Sequence, residues 1–179
     1  MKKHIYLLGL LLIFPLVLLG NWNTYNASRG DFSFDLPGHP LEIDTLNLLF
    51  YSLETDSTVA FSAHFMDSMS FDNFDPYFED ILMANDYDTL LAIGSSMLTV
   101  ANSIEDNVQL INMVIGNDTI NGLEVKFKYE HPDYNYGHMY AWVFIYNNRF
   151  YVFSTGAADF EKTELDNHSS QFFKSIQIW

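Results

Sequence analysis

Apolar and polar residues alternate with period two along much of the chain, the pattern of strands with one buried face. In "FSFDL" Phe32, Phe34 and Leu36 alternate with Ser33 and Asp35. Pro37 and Pro40 bracket Gly38 and predict a corner, so that β-structure begins near the sheet's edge; Leu41 to Thr45 predicts a brief pairing segment. "LLFYSLET" and "STVAFSAHFMD" predict a hairpin with Asp56 and Ser57 at its turn. Val59, Phe61, Ala63 and Phe65 form its buried face, and Ser62 and His64 its exposed face. "VQLINMVIG" predicts a strand, "NDTING" a turn, and "LEVKFKYE" a strand with Leu123, Val125, Phe127 and Tyr129 inward and Glu124, Lys126, Lys128 and Glu130 outward. After a loop at "HPDYNYG", the stretch "HMYAWVFIYNN" is apolar on both faces, so a central strand covered on both sides is expected. Asn147 and Asn148 turn it into "RFYVFSTG", and "SIQIW" closes the chain as a short strand.

Three segments carry the helical period instead. Asp75 suits an N-cap and Pro76 the first helical position, followed by Tyr77, Phe78, Ile81 and Leu82 at helical spacing. A second helix is expected from Asp88 to Ala101, weakened by Gly94. A third spans about Ala158 to Phe173, with Leu165, His168 and Phe172 on one stripe. A strand apolar on both faces needs cover on both. The pattern therefore predicts an α+β fold, an antiparallel sheet between helices in α/β/α layers.

The N-terminus changes the picture of location. Lys2 and Lys3 precede an apolar run from Ile5 to Leu19, the layout of a secretory signal over residues 1–20, with an uncleaved anchor as the alternative. Residues 21–30 are polar and small and predict a tether, leaving residues 31–179 as one domain. The protein is expected to be exported, periplasmic or extracellular, with inner-membrane tethering if the segment is retained. Contact with membrane is expected only through that segment. The chain has no cysteine, which excludes lipidation at a thiol, disulfides and cysteine-based zinc sites. Its net charge is −15, and the loss of two lysines with the leader would make it −17. No Lys or Arg occurs between positions 31 and 125, so the surface repels phosphate backbones and nucleic acid is excluded as a partner. Aromatic residues at 17% still provide for a dense core.

The opening "GDFSFDLPGHP", the hairpin "AWVFIYNNRFYVFSTG" and the ending "FFKSIQIW" together resemble the PsbP/Mog-like superfamily. The opening is similar to the Gly-x-Phe-x-Val-x-Phe-Pro-Gly-x-Pro start of small exported bacterial proteins with that layout. The resemblance runs from about Gly30 to Trp179. It implies an accessory or binding protein, since members include extrinsic photosystem subunits that support calcium and chloride retention and a nuclear-import factor that binds a small GTPase. It implies no shared catalytic set. This chain departs from the photosystem members, whose docking surfaces are rich in lysine.

Candidate chemistry is sparse. "GSS" at Gly94–Ser96 lacks the second glycine of a nucleophile elbow. His131, Asp133 and His138 fall in one expected loop, and two imidazoles with a carboxylate suit zinc. Asp72, Asp75 and Glu79 belong to an acidic cluster whose oxygens suit calcium, although helix capping also accounts for acids there. The aromatic stripe from Tyr134 to Phe153 can line a groove for an apolar ligand or form core. The reading is a non-enzymatic, acidic accessory or protein-binding module without a cofactor. The alternative is a carrier of a small apolar ligand or a divalent cation.

Overall fold

The computed structural model describes residues 22–28, 31–45, 48–54, 59–67, 87–100, 102–115, 117–131, 133, 135–147 and 149–179. The segment expected to be a leader and the helix expected after Asp75 lie outside the described residues. Ten strands are described: β1 Asn23–Asn26, β2 Phe32–Leu36, β3 Leu41–Asp44, β4 Leu48–Glu54, β5 Ala60–Asp67, β6 Ser103–Ile115, β7 Asp118–His131, β8 Asn135–Tyr146, β9 Arg149–Ala158 and β10 Gln177–Ile178. Two helices accompany them among the described residues, α1 Tyr87–Val100 and α2 Lys162–Ser175, the latter preceded by a 3-10 turn at Asp159–Glu161. Seven strands form one antiparallel sheet in the order β3-β4-β5-β9-β8-β7-β6, and β1-β2-β10 form a second, smaller antiparallel sheet.

Both faces of the large sheet are apolar at its centre, as the sequence of β8 requires. On one face Leu123, Val125, Ala141, Val143 and Ile145 pack with Leu90 of α1. Gly94 explains the close fit there: a Cβ at this position would lie 3.1 Å from Leu123 Cδ1, so glycine lets the helix approach the sheet. The other face carries Phe61, Phe65, Phe144, Tyr151 and Phe153 and is covered by Phe32 and Phe34 of β2 and by Leu165 and Phe172 of α2. One covering layer is thus helical, and the other combines a helix with a small sheet. This modifies the expected α/β/α layering: the fold is predominantly antiparallel β.

The rings of the second core meet at favourable angles. Phe32 stands edge-on to Phe153 at 5.6 Å and to Tyr151 at 5.9 Å, and Phe34 edge-on to Tyr51 at 5.2 Å. A polar clasp fixes where β2 starts. Asp31 accepts hydrogen bonds from Tyr151 (2.7 Å) and Arg149 (2.5 Å), both on β9. Burial first, and then the Asp31 carboxylate, push the Tyr151 phenol well above its ordinary pKa.

Several expectations are corrected. β2 does not lie at the edge of the large sheet; it is the central strand of the small one, and Ser33 is buried along with its apolar neighbours. Residues 23–26, inside the expected tether, form β1 and pair in register with β2. Tyr25 of β1 donates a 2.6 Å hydrogen bond to the Gly38 carbonyl and so ties the supposed linker to the proline corner. "NDTING" is mostly strand: β6 and β7 pair up to Ile115 and Asp118, leaving two residues to turn. β6 also begins earlier than the apolar pattern suggests, because Glu105 to Asn107 are paired yet exposed. Asn102, Asn135 and Asn147 take positive φ (48°, 62° and 51°), a conformation asparagine tolerates, and each stands at the boundary of an element.

Candidate functional site

The large sheet ends in two very different margins. β3 is four residues long, whereas β6 runs for thirteen and pairs with β7 along one side. Native edge strands are usually blunted by lysine, proline, short length or bulges. β6 holds neither Lys nor Pro, and its one irregularity lies at the far end, between Ser103 and Glu105. Apolar side chains are displayed instead: Val114 is 76% exposed, Ile104 47% and Leu110 43%. Leu110 and Val114, four residues apart, project to the same side of the strand. Glu105 and Asp106 are exposed on the same strand.

A second feature lies between α2 and the β7–β8 pair. A cleft of about 270 Å³ is lined by Glu124, Lys126, Tyr140, Trp142, Phe173 and Lys174, among others. The sheet register places these side chains. Glu124 pairs with Trp142, Lys126 with Tyr140 and Lys128 with His138, so the outward row of β7 faces the row of β8 that leads under α2. Trp142 stacks on Phe173 with centroids 4.8 Å apart and planes at 16°. Charges are paired tightly: Lys126 to Glu124 at 2.8 Å, Lys162 to Asp166 at 2.7 Å, and Lys128 to Asp159 at 3.5 Å. Tyr140 donates to Asp166 at 2.5 Å, Trp142 donates to Glu124 at 3.3 Å, and Gln109 also donates to Glu124. Burial alone would raise the Glu124 and Asp166 carboxyls; the donors around each outweigh it and hold both below the usual range. Burial and the Asp166 carboxylate push the Tyr140 phenol up.

The residues singled out in the sequence are dispersed. His131 closes β7 and pairs with Asn135, and Asp133 is exposed in the short turn. His138 is not in that loop: it belongs to β8, and its Nε2 lies 2.7 Å from Asp159 Oδ1. The expected loop is a turn because β7 and β8 pair to within three residues of each other. Asp72, Asp75 and Glu79 lie outside the described residues. Among the described residues, no three His, Asp or Glu side chains gather as a metal site. The aromatic stripe of the β8–β9 hairpin supplies core, with Phe144, Tyr151 and Phe153 fully buried. His64, expected to be exposed, packs edge-on against Phe50 at 4.5 Å, and burial lowers its pKa to about 4. Its Nε2 is 3.1 Å from Ser62 Oγ, which is 2.6 Å from Ser154 Oγ.

Sequence reading missed the cleft. The signal was available: every lysine beyond the N-terminal pair falls in "LEVKFKYE" or in the last helix. Only the fold brings those two segments together.

No protein-family model matches the chain, and neither does any curated protein. Solved structures do. The chain is similar to cyanobacterial PsbP (CyanoP) from Synechocystis sp. PCC 6803, at 12% identity over 90% of this chain and 94% of that one, with a TM-score of 0.54. It is also similar to the Ran-binding protein Mog1p of Saccharomyces cerevisiae, at 7% identity over 88% and 95% of the two chains, with a TM-score of 0.50. The chain has the PsbP/Mog-like fold.

Proposed function

We propose that the protein is an exported accessory module that takes up a strand of a protein partner along β6. The long edge, unpaired on its outer side among the described residues and free of Lys and Pro, is the observation that carries this reading. Strand addition draws affinity from backbone hydrogen bonds and specificity from alternate side chains. Leu110 and Val114 offer apolar contacts on one side of the added strand. Charge selects the partner. β6 brings Glu105 and Asp106 and no basic residue, on a chain of net charge −15. A second copy of the same chain is therefore repelled, and an extended cationic segment is favoured. The reading is supported by the fold's occurrence in a Ran-binding protein. Export is supported by Lys2, Lys3 and the apolar run that follows them.

Peptide display tests it. Extended peptides of about ten residues, enough to span most of β6, are selected on the wild type and on the Leu110→Lys/Val114→Lys variant. The expected winners are basic, alternate with apolar residues, and bind the variant at least about tenfold more weakly. Winners that bind both forms equally, or that show no basic bias, contradict the reading.

A further inference from the structure

The cleft between α2 and the β7–β8 pair is separate from the β6 edge in chemistry, and lysines flank it on a chain that is otherwise strongly acidic. The described residues contain four lysines, and all four stand on the two elements that flank it: Lys126 and Lys128 on β7, Lys162 and Lys174 on α2. On a chain with 23 acidic residues this gathers four of the five Lys and Arg among the described residues in one place.

We propose that the cleft binds a small organic carboxylate bearing a flat ring. Charge balance gives the valence. Glu124 neutralises Lys126 and Asp166 neutralises Lys162, while Lys174, exposed at the cleft's end, makes no salt bridge among the described residues. One positive charge is left over, which suits one negative group. A dianionic phosphate would meet the repulsion of Glu124 and Asp166 as well as the attraction of Lys174. Ser170, also lining the cleft, places an exposed hydroxyl four residues before Lys174, on the same side of the helix. The ring is selected by the parallel Trp142–Phe173 pair and by Tyr140, which has the Lys126 and Lys162 ammonium groups 5.5 Å and 5.9 Å from its ring centre. A volume of about 270 Å³ admits one or two fused rings and little more. The site is held ready before any ligand arrives. Asp166 is fixed by Tyr140 and Lys162, and Glu124 by Lys126, Trp142 and Gln109, so little ordering remains on binding.

The test is a titration of the full chain with benzoate, 4-hydroxyphenylacetate and indole-3-acetate, each beside its neutral amide, and with acetate as the ringless anion. Nuclear magnetic resonance reads the backbone amides and the Trp142 indole N–H, which donates to Glu124 inside the cleft. At least one ring carboxylate is expected to give saturable shifts at Trp142, Ser170 and Lys174. Its amide and acetate should bind at least about tenfold more weakly. Lys174→Gln should weaken it by a similar factor while leaving the thermal midpoint and the free-state Trp142 signal in place. The proposal fails if none of the three carboxylates saturates by about 10 mM, a limit set by the weak end of the affinity scale. It fails equally if amide and acid bind alike, or if Lys174→Gln changes nothing.

Discussion

Phe34 shows how much a single side chain can join. It is fully buried and meets Tyr51 of β4 at 5.2 Å, Phe172 of α2 at 6.2 Å and Phe153 of β9 at 6.4 Å. Truncation to alanine removes the link between the small sheet, the large sheet and the last helix. Phe34→Ala is expected to cost about 3–5 kcal/mol, read by urea denaturation. His64 makes a different kind of statement. Its folded pKa of about 4 lies below the unfolded value of 6.5, so the unfolded chain takes up the proton first. Stability is then intact above pH 6.5 and falls as pH drops toward 4, by about 3 kcal/mol in all and about 2 kcal/mol at pH 5. Paired denaturation curves at pH 7 and pH 5 check this, since His64→Gln should lose that increment of pH dependence. An equal slope in the variant would assign it to other groups. Below the ordinary carboxylate range Glu124 and Asp166 add a further loss: their folded pKa values are depressed, so their contribution exists above the unfolded values and disappears on acidification through the folded ones. The burial of His64 was not legible in the sequence. Alternation says which residues share a face; it does not say what lies over that face.

At the level of elements, α1 and β6 illustrate opposite uses of a surface. α1 is pressed against β7 through Gly94, where even a methyl group would sit 3.1 Å from Leu123. Gly94→Val is expected to destabilise by about 2 kcal/mol through overpacking, despite valine's better helix propensity than glycine's; thermal unfolding reads the shift. β6 is left open. Because Leu110 and Val114 are exposed, the Leu110→Lys/Val114→Lys variant should unfold within about 1 kcal/mol of the wild type while losing strand uptake. The turn of the central hairpin was legible to the residue, since Asn147–Asn148 marks it and both faces of β8 are apolar, whereas β8 begins at Asn135, three residues before the expected start. β1 was not: "NTYN" is polar and short, and its strand exists because β2 presents a partner and Tyr25 reaches the Gly38 carbonyl. The start of β6 was hidden for a similar reason. Edge residues bury little, so their pairing leaves no hydrophobic period behind.

The whole molecule combines a crowded aromatic core with a surface of one dominant sign. Period-two patterning indicated an antiparallel sheet with helical cover, and the resemblance of "GDFSFDLPGHP", the central hairpin and "FFKSIQIW" to the PsbP/Mog-like superfamily indicated the fold that the chain has. The lysine cleft was illegible because its two halves are brought together only by packing α2 over β7 and β8. Acidic residues outnumber basic ones by 23 to 8, so self-repulsion outweighs the ion pairs that salt would weaken. Raising sodium chloride from about 0.01 M to about 0.5 M should therefore increase the melting temperature, by about 2–4 °C for each kcal/mol of repulsion screened. A fall would mean that the lysine ion pairs dominate. The central claim is that this acidic domain receives a cationic strand along β6. Amide hydrogen exchange in the presence of the strongest selected basic peptide tests it most directly. The account predicts new protection along residues 103–115, strongest at alternating amides that face outward from β7. Protection confined to α2, to the small sheet or to β3, with β6 unchanged, would contradict it.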